Sequence, residues 1–183
     1  APAVLANLFM EKTLKNFYPQ IPRNGDGAGW LLKHFSWPGG FPSHVTPMVP
    51  GSILEGGELG YSLSTAFGAT FDNSNLIVAC VIGDGEAESG PLAASWHSNK
   101  FLDPKTSGAV LPILHVNGYK ISNPTIYGTM SDKELTSLFS GFGYNVHIVE
   151  GDDVHEEMME TLENAYTEIR SIQKRAQEGE KIV

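Results

Sequence analysis

The sequence predicts an α/β protein with a doubly wound parallel sheet flanked by helices. Two observations predict this class. Short apolar runs rich in β-branched residues alternate with helix-length segments, and strands that alternate with helices pair in parallel through crossovers. Two of the runs end in polar turns, Gly83-Asp84-Gly85 and Asn117-Gly118. The 183 residues are enough for one domain with a sizeable core.

Composition excludes several classes of protein. The formal net charge of -9 argues against a nucleic-acid partner, because neutralising phosphates requires clustered Lys and Arg. No apolar run approaches the roughly 20 residues of a membrane helix, so we expect no membrane association. The start of the chain lacks the basic region of a signal peptide. One cysteine, Cys80, excludes an internal disulfide and fits a reducing compartment. We therefore expect a cytoplasmic protein.

The N-terminal third contains few regular elements. Apolar residues at helical spacing predict a helix over about residues 2–18. The segment 19–56 is rich in Gly and Pro and predicts a long ordered loop with a short helix near 30–34. A loop of this length in a compact domain is often functional. Within it, Asn24–Gly29 lacks the alternating acids and final Glu of a calcium loop and predicts a turn.

The remainder alternates strands and helices. A helix opened by the glycine-rich segment 55–58 runs to about residue 71, and Asp153 begins a long helix that stops near Gly179. Ser131 begins a helix with a capping box. The other predicted elements are strands over 76–82, 110–116 and 144–150 and a helix over 86–101.

Both ends of the chain look abrupt. It opens in a helical pattern, and Lys181–Val183 resembles the start of a strand. The strand count is also low for a finished sheet. We therefore expect a single partial domain over residues 1–183, incomplete at both ends, with the 19–56 loop inside it.

The Gly-Asp-Gly motif has the character of a phosphate site. Gly85 allows close backbone approach to a phosphate, which the N–H groups of the following helix can bind. Asp84 offers the carboxylate with which Mg²⁺ bridges protein and phosphate. The next glycine, Gly90, falls at the wrong spacing for a dinucleotide fingerprint, and the Gly-Lys-Ser/Thr of a P-loop is absent. Taken alone, the motif is equally compatible with a plain turn.

Asn117 strengthens the phosphate hypothesis. It ends the next predicted strand, so its amide oxygen is expected at the same sheet edge as the Asp84 carboxylate. Such a pair suits a hard divalent cation held against a phosphorylated ligand. The alternative is a hairpin turn at Asn117-Gly118, although Tyr119–Ser122 is not a convincing return strand.

Other candidates carry open alternatives. The three glycines of Glu55–Tyr61 allow the backbone to pack against a ligand, or against a strand. Glu86 and Glu88 form a carboxylate pair that also suits a helix dipole; we favour the dipole role for Glu88 and leave Glu86 open. His44, in the long loop, is either a catalytic residue or a surface histidine.

These motifs together resemble phosphoketolase, a family of transketolase-like thiamine-diphosphate enzymes. The run Glu-Gly-Gly-Glu-Leu-Gly-Tyr is far more specific than Gly-Asp-Gly alone. The resemblance extends through nearly the whole chain and is dense between residues 36 and 128. The segments that carry it are Pro42–His44, Pro50–Ser52, Glu55–Ser64, Gly83–Glu88, Ser95–Lys100 and Leu111–Lys120.

The resemblance implies an activity and a set of residues. The family cleaves xylulose 5-phosphate, fructose 6-phosphate or both with inorganic phosphate, giving acetyl phosphate and an aldose phosphate. Asp84 and Asn117 would bind Mg²⁺ through side-chain oxygens, and Tyr119 through its backbone carbonyl. The diphosphate would be lined by Gly56, Gly85 and Glu86, and His44 would face the substrate and transfer protons.

The resemblance also implies partners. The family's Gly-His-Gly-Gly-Pro segment and the domain whose glutamate activates the cofactor's aminopyrimidine ring lie outside this sequence. The cofactor of the family sits between domains of two subunits, so the parent enzyme would be a homodimer and this chain alone would be inactive. The alternatives are another transketolase-like enzyme, such as the synthase that makes deoxyxylulose phosphate, or a non-catalytic Mg²⁺–phosphate binding module.

Overall fold

The computed structural model describes residues 2–182. Internal contacts divide the chain into two compact units, Ala1–Leu59 and Gly60–Val183. The single partial domain over residues 1–183 stays a prediction, and the last residue of the expected Lys181–Val183 strand lies outside the described residues.

The first unit is helical. Its helices are α1 (Pro2–Met10), α2 (Leu14–Phe17) and α3 (Gly25–Lys33). The continuous helix predicted over 2–18 is wrong, because Lys12 adopts a left-handed φ of 78° that separates α1 from α2. A buried cluster forms the core of this unit: Leu5, Leu14, Ile21, Phe41 and Val49.

The turn predicted at Asn24–Gly29 is also wrong, because α3 begins there. The side chain of Asn24 accepts hydrogen bonds from the backbone N–H groups of Asp26 and Gly27, at 3.0 and 3.2 Å. These are two of the donors that a helix N-terminus leaves unsatisfied. The 19–56 segment therefore contains a nine-residue helix, longer than the short helix predicted near 30–34.

The second unit is built on a parallel strand pair. Strand β1 (Ile77–Gly83) pairs with β2 (Ala109–His115) from Ile77↔Ala109 to Gly83↔His115. This confirms that the two apolar runs are parallel neighbours whose carboxyl ends meet. The described residues contain this two-stranded parallel sheet and a two-stranded antiparallel hairpin, so an α/β class with parallel pairing is confirmed.

Helices and short elements surround the strand pair. These elements pack around one buried core, whose residues include Leu63, Ile82, Leu92 and Trp96. The remaining elements are α4 (Ser62–Thr70), α5 (Asp84–Ala87), α6 (Gly90–Ser95), a 3-10 helix (Trp96–Phe101), β3 (Tyr119–Lys120), β4 (Asn123–Pro124), a 3-10 turn (Tyr127–Thr129), α7 (Asp132–Gly141) and α8 (Val154–Gln177).

The helix predicted over 86–101 is divided. Ser89 is extended between α5 and α6, with φ -71° and ψ 147°. Pro91 explains the break, since it has no N–H to donate to the carbonyl of Ala87 four residues earlier. That carbonyl instead lies 3.5 Å from both the Trp96 indole N–H and the Tyr127 hydroxyl.

The third strand, predicted over 144–150, is absent from the described sheet. The segment has no ladder partner, although Tyr144 and Val146 pack against the core. The Tyr144 hydroxyl donates to the Trp96 carbonyl at 2.9 Å. A strand needs a neighbouring backbone to pair with, and among residues 2–182 this segment has none.

Two helix termini follow their sequence signals. The Ser131 capping box is confirmed: its backbone N–H donates to Glu134 Oε2 at 2.9 Å, and its hydroxyl accepts from the Glu134 N–H at 3.4 Å. Helix α8 ends two residues before Gly179, as predicted. Within residues 2–182, no helix combines the length and apolar character that crossing a membrane would require.

The core at β1 can be tested with a matched pair of isoleucines. Ile82 is 0% exposed, whereas Ile121, between β3 and β4, is fully exposed. Ile82→Ala should lower the free energy of unfolding by about 2–5 kcal/mol because it leaves a cavity. Ile121→Ala should change it by less than about 0.5 kcal/mol. Urea unfolding followed by tryptophan fluorescence measures both, and equal effects would contradict this description of the core.

Candidate functional site

Asp84 lies where β1 and β2 end. It is the first residue of α5, directly after β1, and only 1% of it is exposed. Its Oδ2 accepts a hydrogen bond from the backbone N–H of Gly118 at 2.8 Å. Gly118 follows Asn117, so the structure brings together the two strand ends that the sequence singled out.

Thr125 is a second partner of the same carboxylate. The residue is only 1% exposed. Its hydroxyl donates to Asp84 Oδ2 at 2.6 Å and accepts a hydrogen bond from the Gly128 N–H at 3.1 Å. A Cβ on Gly128 would lie 2.4 Å from the Gly118 Cα, so only glycine allows this approach. The sequence did not predict the contact between Thr125 and Asp84, because no local pattern around Thr125 indicates a partner 41 positions away.

The Asp84 carboxylate has the properties of a cation ligand. Its Oδ1 accepts one hydrogen bond, from the Gly85 N–H at 3.0 Å, and keeps a further lone pair. Among residues 2–182, no Lys, Arg or His forms an ion pair with it. A buried carboxylate without a positive neighbour is costly, so a bound cation suits this position.

The other two predicted metal residues, Asn117 and Tyr119, follow β2 in the sequence. Asn117 is exposed, and its Oδ1 accepts a hydrogen bond from the Tyr119 N–H at 2.9 Å. An amide oxygen retains a second lone pair after one hydrogen bond. Tyr119 begins β3, with its side chain directed to solvent. Carboxylate and amide oxygens are ligands suited to Mg²⁺, so these residues fit that ion.

No conventional metal cluster accompanies them. Residues 2–182 contain no group of three or more His, Cys, Asp and Glu side chains that could hold a metal ion. Mg²⁺ is usually bound by one or two carboxylates together with substrate phosphates and water, so a single carboxylate at this position suits it.

Glu86 connects α5 to the start of α4. Its Oε1 accepts hydrogen bonds from the Gly60 N–H at 3.0 Å and the Ser62 hydroxyl at 2.7 Å. The carboxylate thus fixes the chain where α4 begins. Burial raises the pKa of Cys80 to about 11, and the negative charge of Glu86 acts in the same direction. A thiol with this pKa stays protonated and is unsuited to nucleophilic catalysis.

Glu88 does not have the first-turn position that a dipole role requires. Helix α5 ends at Ala87, so Glu88 is its C-cap residue, where a negative charge gains nothing from the dipole. Its Oε1 instead forms an ion pair with Lys120, and its Oε2 accepts from the Ile126 N–H at 2.5 Å. The Lys120 hydrogen bond, followed by that of Ile126, lowers the pKa of Glu88.

The remaining predicted residues lie in the first unit or beside Asp84. His44 is well exposed, and its Nδ1 lies 3.6 Å from Glu55 Oε1. The Gly56 N–H donates to the Val45 carbonyl at 2.6 Å. Gly85 lies under β3: a Cβ on it would be 3.1 Å from the Cβ of Lys120.

A comparison with protein families matches the whole chain. The model of the XFP N-terminal domain covers residues 1–183. The chain belongs to this family. Its resemblance to phosphoketolase, which the motifs indicated, is confirmed.

The names of curated relatives of this XFP N-terminal domain agree with the resemblance to phosphoketolase. A protein named "Probable phosphoketolase" from Bradyrhizobium diazoefficiens is 57% identical over 98% of this chain and 23% of its own length. One of the same name from Nitrosospira multiformis is 60% identical over 96% of this chain and 22% of its own length. A third protein of this name, from Gloeobacter violaceus, is 56% identical over 97% of this chain and 23% of its own length. The chain therefore spans less than a quarter of the length of these relatives.

The Thr125 hydrogen bond can be removed without changing the shape of the side chain. Thr125→Val should lower the free energy of unfolding by about 1.5–3 kcal/mol, because a buried carboxylate loses a donor. Thr129→Val is the matched control, since the Thr129 hydroxyl is exposed and donates to the Ile126 carbonyl. Chemical denaturation measures both variants. If the two lost equal stability, the Thr125–Asp84 contact would not matter as described.

The lowered pKa of Glu88 predicts a pH dependence. A carboxylate whose folded pKa is depressed stabilises the fold above its ordinary value of 4.5 and loses that effect as pH falls through the folded pKa. Lys120→Met removes the largest cause of the shift and keeps the side-chain stem. The variant should therefore unfold at lower urea than the wild type at pH 7, and the difference should shrink in acid. A difference independent of pH would contradict this assignment.

Proposed function

We propose that this chain supplies the diphosphate- and Mg²⁺-binding part of a thiamine-diphosphate-dependent phosphoketolase, a carbon–carbon lyase. One observation carries the proposal: the buried Asp84 carboxylate, which forms no ion pair with any side chain of residues 2–182, lies at the joined ends of two parallel strands. Ligands of α/β sheets bind at the carboxyl ends of the strands. The family membership and the curated names of the relatives support it.

The family membership also supports a proposed architecture. The β1–β2 pair would belong to the doubly wound, transketolase-like sheet of the parent enzyme. In that enzyme the rest of the chain, which accounts for about three quarters of the length of the relatives, would supply the other domains. We propose that the 183-residue chain by itself forms no acetyl phosphate.

We propose roles for the site residues as follows. Asp84 and Asn117 would hold Mg²⁺ through side-chain oxygens and Tyr119 through its carbonyl, completed by diphosphate and water. Gly56 and Gly85 would allow the backbone to approach the diphosphate. Bound thiamine diphosphate would supply the electron sink for carbon–carbon cleavage.

Glu86 and His44 act at different points in this scheme. Glu86 would act on the diphosphate side by fixing Gly60 and Ser62, to which its carboxylate is hydrogen-bonded. His44 would hold or move a proton of the substrate, because histidine is the side chain used most often in general acid–base catalysis. Its Nδ1 lies near the Glu55 carboxylate, which would orient the ring.

The substrates and setting complete the proposal. The parent enzyme would cleave xylulose 5-phosphate, fructose 6-phosphate or both with inorganic phosphate, giving acetyl phosphate, an aldose phosphate and water. It would be a cytoplasmic homodimer with neither nucleic-acid nor membrane partners. The net charge of -9 on this part of the enzyme agrees with the absence of a nucleic-acid partner.

Calorimetric titration of the intact protein that carries this chain tests the proposal. Thiamine diphosphate should bind in the presence of Mg²⁺. Asp84→Asn should weaken that binding by more than about 100-fold, because it replaces the charged carboxylate of a direct ligand with a neutral amide, a larger change than the loss of an outer partner. Asp152→Asn, at an exposed residue, is the matched control and should bind as the wild type does. Unchanged binding by Asp84→Asn would overturn the proposed site.

A further inference from the structure

Two carboxylates, one at the first residue of α5 and one at its C-cap, contact both arms of the β3–β4 hairpin. Asp84 accepts from the Gly118 N–H just before β3 and from Thr125 just after β4. Glu88, four positions later, pairs with Lys120 on β3 and accepts from the Ile126 N–H beyond β4. The hairpin is therefore attached to α5 at two levels, and each level joins both of its arms.

Glu88 is not an ordinary surface carboxylate. Its side chain is 6% exposed, whereas that of Lys120 is 47% exposed. Exposed ion pairs contribute little because solvent screens them, but a buried carboxylate must keep its partners. The stem of Lys120 also covers Gly85, whose absent Cβ would lie 3.1 Å from the lysine Cβ. The ion pair thus holds β3 close to Gly85, in the turn that follows β1.

The hairpin arm that contains Lys120 also contains two of the three proposed metal ligands, Asn117 and Tyr119. Asn117 and Tyr119 lie within three residues of Lys120 and Asp84 lies across from them, joined to Gly118 by a 2.8 Å hydrogen bond. Mg²⁺ tolerates little departure from octahedral geometry, so a small displacement of this arm would lower its affinity. Neither Glu88 nor Lys120 needs to touch the ion to have this effect.

We propose that Glu88 and Lys120 are a positioning pair that holds the 117–119 segment at the distance from Asp84 that Mg²⁺ requires. This inference rests on the proposed function. Residues that orient metal ligands from outside typically change metal affinity by about 10–100-fold when they are replaced. The pair therefore sets the Mg²⁺ requirement for cofactor binding and leaves the chemistry itself unchanged.

The test uses the intact protein that carries this chain and titrates thiamine diphosphate at graded Mg²⁺ concentrations. Glu88→Gln and Lys120→Met should each raise the Mg²⁺ concentration for half-maximal cofactor binding by about 10–100-fold. At saturating Mg²⁺ the cofactor dissociation constant should return to within about twofold of the wild type, since the direct ligands are intact. The number of sites per protein should stay unchanged.

That last measurement separates positioning from a merely structural role. A variant that only folds poorly would bind at fewer sites with an unchanged Mg²⁺ requirement, which would overturn the proposal. The exposed Lys174–Glu178 pair, 3.9 Å apart, provides matched controls as Lys174→Met and Glu178→Gln, which should behave as the wild type does. Because Lys120 is half exposed, its variant gives the answer even where Glu88→Gln fails to fold.

The outcomes also distinguish the two proposals. If the wild type binds no thiamine diphosphate with Mg²⁺, the proposed function fails. If the wild type binds, Asp84→Asn abolishes binding, and Glu88→Gln and Lys120→Met keep the wild-type Mg²⁺ requirement, the proposed function stands and the positioning pair is refuted.

Discussion

The second unit is organised around one buried charge, the carboxylate of Asp84. This group is almost wholly removed from water, and no cationic side chain among residues 2–182 pairs with it. Burying a charge is expensive unless hydrogen bonds or an ion compensate for it. Asp84 receives three hydrogen bonds, from Gly85, Gly118 and Thr125. These donors come from the turn after β1 and from both sides of the β3–β4 hairpin, so solvating one charge also ties the strand ends together.

That arrangement explains why the surrounding residues are so restricted. Thr125 must be both donor and acceptor, since it connects Asp84 to Gly128. Gly128 must lack a side chain, because Gly118 passes directly over it. Glu86 and Glu88 extend the same logic in opposite directions, one toward α4 and the other toward the hairpin. Three carboxylates within five residues thus fix two separate segments of the chain, the start of α4 and the β3–β4 hairpin.

The parts of the fold that the sequence predicted are those set by local patterns. β-branched apolar runs predicted β1 and β2, and the Ser131 capping box needed only residues within one turn. The break at Pro91 had a local signal that the helical pattern of 86–101 outweighed. Thr125 and the Glu88–Lys120 pair could not be predicted, since they depend on contacts 32 to 41 positions apart. The strand predicted over 144–150 was wrong although Tyr144 and Val146 pack against the core, because a short apolar run carries no information about the backbone with which it would pair.

Cys80 gives the molecule an internal reporter. Its thiol is buried in β1, between Ala79 and Val81, and burial raises its pKa to about 11. Alkylating reagents attack the thiolate, so the folded chain reacts slowly and modification proceeds through molecules in which this strand has opened. The rate of labelling therefore measures how often the core beneath Glu86 and Ser62 is exposed. With no other cysteine in the sequence, that rate belongs to a single place in the fold.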